Sequence, residues 1–120
     1  MSDPERTVLD GLHLPRHIGG VSEVAAVLVH TWSKLDRSRL LAYSERMGLD
    51  SVRRRLGFLL EELDLPGAAD TSTRLHQLLS DRRRSPVILD PSLPVEGAID
   101  PRWGVRVNLD RDELLVVGRT

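Results

Sequence analysis

The residues in this 120-residue chain best suited to chemistry are its arginines: of seventeen basic residues, Lys34 is the only lysine. Arg53, Arg54 and Arg55 adjoin, Arg46 precedes them, and Arg102 and Arg106 flank a later apolar stretch. A guanidinium is a planar, permanently charged fork that grips carboxylate or phosphate at two points. A GC-rich coding sequence produces the same bias, so composition alone assigns no partner. Distribution says more. From Asp36 to Arg55 six arginines meet three acids, a local +3; from Ser85 onward four arginines meet six acids, a local −2. The net charge of −1 gives no global attraction to nucleic acid.

Other chemistries find little support. His13, His17, His30 and His76 show no metal-ligand spacing, and Pro15 disfavours a helical pair of His13 and His17. With no cysteine there is neither a disulfide nor a thiolate site, which fits a reducing cytoplasm. Gly19-Gly20 lacks the Lys-Ser/Thr of a phosphate loop, and no serine sits in a nucleophile elbow. Asp3 and Glu5 read as capping and solvation, and Arg6 with Asp10 as an i,i+4 ion pair. The expectation is a non-enzymatic chain with no cofactor and no metal. The polar start MSDPERT and the lack of any apolar run near 20 residues point to a cytoplasmic protein that does not enter a membrane.

The elements that must position these residues follow from periodicity and breakers. Asp3-Pro4-Glu5 starts a helix over 4–12, and Pro15 with Gly19-Gly20 breaks it. A second helix is expected over 22–34 and a third, capped by Asp36, over 36–47. Gly48 provides a left-handed stop, and Asp50 or Ser51 caps a fourth helix over 50–64. Along that fourth helix Leu49, Val52, Leu56, Leu59 or Leu60, and Leu63 form an apolar stripe. Arg53, Arg54 and Arg55 leave the stripe and fan over roughly 200° of the opposite surface. On this reading Arg54 lies most nearly opposite the buried side, while Arg53 and Arg55 flank it. A fifth helix over 71–82 starts at Asp70 or Thr71 and ends at Arg82-Arg83-Arg84.

From Ser85 the period changes from 3.6 to 2. Strands are expected at 86–89 and 103–109, with a proline-rich connection over Asp90–Pro101. Residues 112–117 read either as a last strand or as a helical turn. The fold class is α+β: a bundle of about five helices over 1–84, then a small C-terminal β-sheet of two or three strands over 85–120. Gly57 is anomalous, because glycine inside an exposed helix costs about 1 kcal/mol relative to alanine. It predicts a close approach by a second backbone or a ligand. Leu40–Leu60 fits either a DNA-reading helix-turn-helix or an ordinary antiparallel helix pair, and the register favours the pair. Trp103, beside Arg106 and Asn108, is either a binding platform or a plug for the open end of the bundle.

Taken in order, PERTVLDGL, a helix led by Gly-Gly, YSERMGLDSVRRRLGFLLEEL, LDPSLPVEG and RWGVRVNLD resemble the C-terminal domain of the AbiEi antitoxin family. That family belongs to the AbiE abortive-infection toxin–antitoxin systems of phage defence. The resemblance covers nearly the whole chain. It implies neutralisation of a cognate nucleotidyltransferase-fold toxin, directly or functionally, with no enzymatic step. In the family this domain follows an N-terminal, DNA-binding winged helix. None precedes Met1 here, so the expectation is a stand-alone form or a piece of a longer protein, for which autoregulatory DNA binding is not implied. Carried over, the partner-binding residues are Arg46, Arg53, Arg54, Arg55, Arg102, Trp103, Arg106 and Asn108, while Arg6 and Asp10 hold the fold. The alternative is a nucleic-acid-binding transcriptional regulator using the arginine-rich central helix.

Overall fold

Helix boundaries fall where the backbone needs new partners. The computed structural model describes residues 3–14, 19–79 and 85–114. It places α1 at Pro4–His13, α2 at Val21–Thr31, α3 at Arg37–Met47, α4 at Asp50–Glu62 and α5 at Ala68–Gln77. A short 3-10 turn, Trp32–Lys34, extends α2. Asp36 caps α3 by accepting from the Arg39 amide at 3.1 Å, and Gly48 ends it in the left-handed region at φ 64°. Both follow the sequence expectation.

Other caps differ. Asp3 occupies the position before α1 without capping it, because its carboxylate accepts from the Tyr43 hydroxyl instead. Neither Asp50 nor Ser51 caps α4: Leu49 is its N-cap and Asp50 is its first residue, ion-paired with Arg53 at 3.2 Å. Left-handed Gly67 lets α5 begin at Ala68, ahead of the expected Asp70 or Thr71. Arg82, Arg83 and Arg84 lie outside the described residues.

Packing departs more from expectation. The main contacts of α3 are with α1 and α5, so the anticipated α3–α4 antiparallel pair is not the organising unit. Helix α4 lies along α5 and α1 and carries sheet strands on its remaining side. Every residue from Val52 to Leu60 is buried, so α4 is an axle surrounded on all sides rather than a one-faced amphipathic helix.

The sheet has three short strands, β1 (Val87–Ile88), β2 (Ile99–Asp100) and β3 (Val105–Arg106), in the order β1-β3-β2. β1 is parallel to β3, pairing Val87 with Val105; β2 is antiparallel, pairing Asp100 with Val105. The class is α+β, as expected, but the strand predicted over 103–109 shortens to two residues. The Trp103 amide donates to the Asp100 carboxylate and the Gly104 amide to the Asp100 carbonyl, folding the chain into a turn. β2 arises inside the stretch read as a connection.

At the far end Asp110 starts a helical turn over 111–114 by accepting from the Asp112 amide, so the helical alternative holds as far as Leu114. Residues 115–117 lie outside the described residues. Among the described residues no helix is long and apolar enough to cross a membrane.

Candidate functional site

The arginine triplet is interior. Arg53, Arg54 and Arg55 retain only 8%, 2% and 7% of their exposure, so the expected cationic surface opposite an apolar stripe is absent. Their acceptors give the physical reason. The last carbonyls of a helix have no partner within it and carry the negative end of its dipole. Arg53 donates through Nε to Ser44 O at 3.2 Å and through Nη2 to Glu45 O at 3.2 Å, closing the end of α3. It also reaches Leu78 O, at the end of α5.

Arg55 donates to Leu12 O in the last turn of α1 at 2.8 Å and to Ile88 O of β1 at 2.9 Å. Arg54 donates to Ser85 O at 3.4 Å, on the chain entering β1. Three neighbouring side chains, diverging at about 100° each, thus staple three helix ends and a strand to one axle. Burial lowers the pKa of the Arg55 guanidinium, and the Asp90 carboxylate opposes that shift. Of the expected partner-binding residues, these three build the fold.

Trp103 and Asn108 are interior too. The Trp103 indole is 1% exposed, lies against Gly57, and donates to Glu61 Oε1 at 2.6 Å. Of the two readings of Trp103, it plugs the bundle. Asn108 exchanges hydrogen bonds with the Asp90 backbone, accepting from its amide at 2.9 Å and donating to its carbonyl at 2.8 Å. That clamp aims Asp90 at α2, where its carboxylate accepts from the Val21 amide at 3.0 Å. The carboxylate caps from 69 residues away a helix whose own N-cap is glycine.

Arg46, Arg102 and Arg106 keep solvent access, but on separate structures. Arg102 is about half exposed and binds Glu61 at 2.9 Å, with its guanidinium over the Trp103 ring. Arg106 donates to the Gly97 carbonyl at 3.0 Å. Arg46 faces a groove between α1 and α3.

That groove, about 320 Å³, has Leu9, Tyr43 and Met47 as its floor and Arg6, Asp10 and Arg46 at its rim. The anticipated Arg6–Asp10 ion pair does not form, and among the described residues none of the three rim charges is in a salt bridge. The sequence marked Arg46 alone as a binding residue here. Leu9, Tyr43 and Met47 read simply as apolar periodicity, because nothing local brings the first helix against the third. A second cleft of about 460 Å³, between α3 and α5, sets Arg37 and Arg74 against Glu45 and Asp70. Its Arg37 is already used, donating to Pro66 O and Gly67 O beside Trp32. The α1–α3 groove is the better candidate, since it combines an apolar floor with uncommitted cations.

Tyr43 anchors the groove floor and supplies a direct check. Its hydroxyl donates to Asp3 Oδ2 at 3.0 Å. This bond, then desolvation and the Asp3 charge, raises the phenol above its ordinary pKa, against the pull of Arg39 and Arg46. As the chain's single tyrosine, Tyr43 can be followed by ultraviolet titration of its phenolate. The midpoint is expected above that of free tyrosine and should fall in Asp3→Asn; a native midpoint at or below the free value would exclude the bond. Stability from the bond is full below the unfolded phenol's pKa and is lost as pH rises through the raised folded one.

No protein-family model, no curated protein and no solved structure matches this chain. Among the described residues no group of three or more histidines and carboxylates is placed to hold a metal ion.

Proposed function

We propose that this chain is an antitoxin-type interaction module of a phage-defence toxin–antitoxin system. It acts in the cytoplasm to neutralise a nucleotidyltransferase-fold toxin, with no chemical step of its own. The observation carrying this reading is the ordered run of segments that resemble the C-terminal domain of the AbiEi family. Their mutual packing supports treating them as one unit. Arg55 of the central segment binds the carbonyl of Leu12, the last residue of the opening one, Trp103 of the last lies on Gly57, and Asn108 clamps Asp90 of LDPSLPVEG.

With those residues interior, partner contact falls to solvent-accessible positions, of which Arg46, Arg102 and Arg106 were anticipated. The alternative, a nucleic-acid-binding regulator reading through the central helix, loses its arginine triplet, since a buried guanidinium cannot reach phosphates or base edges. Co-expression with a neighbouring nucleotidyltransferase-like gene tests the proposal. Growth is expected to be restored by the chain. Persistent toxicity in cells that accumulate the folded chain would refute it.

A further inference from the structure

The α1–α3 groove has a chemistry of its own. Its floor is apolar and held in place: Leu9 is fully buried, Met47 packs against the core, and the Tyr43 ring is tethered through its hydroxyl to Asp3. Arg6 and Arg46 stand on opposite walls, both exposed and both outside any salt bridge among the described residues. Asp10 lies one turn beyond Arg6 on the same helix. A volume of about 320 Å³ sits at the lower end of the roughly 300–1,000 Å³ typical of ligand sites. It suits one large side chain and its immediate neighbours.

We propose that this groove docks an acidic peptide segment of a partner protein. One aliphatic or aromatic side chain of the segment enters between Arg6 and Arg46, and carboxylates on either side of it meet the two guanidiniums. The inference rests on reading the chain as an interaction module, and it names the chemistry of the segment recognised. Guanidinium–carboxylate pairs can be two-pronged, so the arginines supply orientation as well as attraction. The apolar anchor supplies the desolvated centre on which binding energy concentrates. Asp10 repels an anion placed one turn too far and so fixes the register of the segment. A nucleic-acid strand fits less well: two cations opposed by a carboxylate make a poor backbone track, and the chain carries a net charge of −1.

A displayed random-peptide library, selected on the intact chain, tests this without knowledge of the natural partner. Selected sequences are expected to carry Asp or Glu on both sides of Leu, Phe or Trp. Their affinity should fall roughly tenfold or more in the Arg6→Glu/Arg46→Glu double variant, and should weaken with salt. Circular dichroism of the double variant should match the parent and its thermal melt should fall by only a few degrees, because among the described residues neither arginine is in a salt bridge and only the dipole contribution of Arg46 is lost. Absence of selection, enrichment of basic peptides, undiminished binding by the double variant, or preferential capture of a single-stranded RNA oligonucleotide would each overturn the proposal. The toxin co-expression assay separates the two levels. Rescue that survives in the folded double variant leaves the antitoxin reading standing and removes the groove from it. Peptide selection without rescue by the parent chain does the reverse.

Discussion

Arg54→Glu should destabilise the protein by about 3–5 kcal/mol, the range for an uncompensated buried charge. Arg54 is among the largest fully buried side chains, and its Nη1 donates to Ser85 O. Gly104, at φ 63°, leaves room for the guanidinium: a Cβ there would stand 3.1 Å from Nη1. A glutamate would lose the donor and set a carboxylate against a carbonyl in an interior with little water to screen it. Measured against a total stability of about 5–15 kcal/mol for a typical domain, such a loss approaches unfolding.

Arg46→Glu, on the exposed rim in the last turn of α3, is the control, and it should cost no more than about 1 kcal/mol, the scale of a helix-dipole contribution. Urea denaturation followed by circular dichroism measures both. Equal stabilities for Arg54→Glu and the parent would place Arg54 in solvent. This expectation reverses the one drawn from helix geometry alone, which places Arg54 most nearly opposite the buried side.

Gly57→Ala is expected to cost about 1–3 kcal/mol through overpacking, and Gly57→Leu more. At an exposed helical site the alanine change would stabilise by up to about 1 kcal/mol, so even the sign is informative. A Cβ on Gly57 would fall inside the envelope of the Trp103 ring, against Cη2, Cζ3 and Cζ2. That ring cannot swing aside freely. Its Nε1 is bound to Glu61, and it makes a T-shaped contact with the His76 ring at a centroid distance of 5.2 Å. Combining Gly57→Ala with Trp103→Leu should cost less than the sum of the single changes, with a coupling of about 0.5–3 kcal/mol for residues in contact. A Gly57→Ala variant that melts higher than the parent would contradict the packing.

These residues show where sequence is readable and where it stops. Periodicity placed all five helices, and the local chemistry of Asp36 and Gly48 placed the ends of α3, because each cap acts within a few residues of itself. Gly57 was legible as a contact point through its cost in a helix, but the group that approaches it is the Trp103 indole, not the backbone or ligand expected, and it comes from 46 positions further along the chain (103 − 57). The divergence of the three arginines was also legible, and each does reach a different element.

Their direction was misread, since one apolar stripe on α4 implied one buried side. The acceptors at Leu12, Leu78, Ser85 and Ile88 are separated from the arginines by 43, 25, 31 and 33 residues. No local pattern announces that a helix will have neighbours all round. Asp90 and Asn108 were hidden for the same reason, as one caps a distant helix and the other mimics a strand partner. The groove needed α1 beside α3, a tertiary fact, before Arg6, Asp10 and Arg46 became a set.

Arg53, Arg54 and Arg55 hold the interior together while Arg6, Arg46 and Arg74 face solvent. Arginine-selective labelling with phenylglyoxal, mapped by mass spectrometry after cleavage at glutamate, tests it on the unmodified chain. In native buffer Arg6, Arg46 and Arg74 should be labelled first, and the triplet should react only once denaturant unfolds the protein. Labelling of the triplet in the native state at the rate of Arg46 would contradict the account.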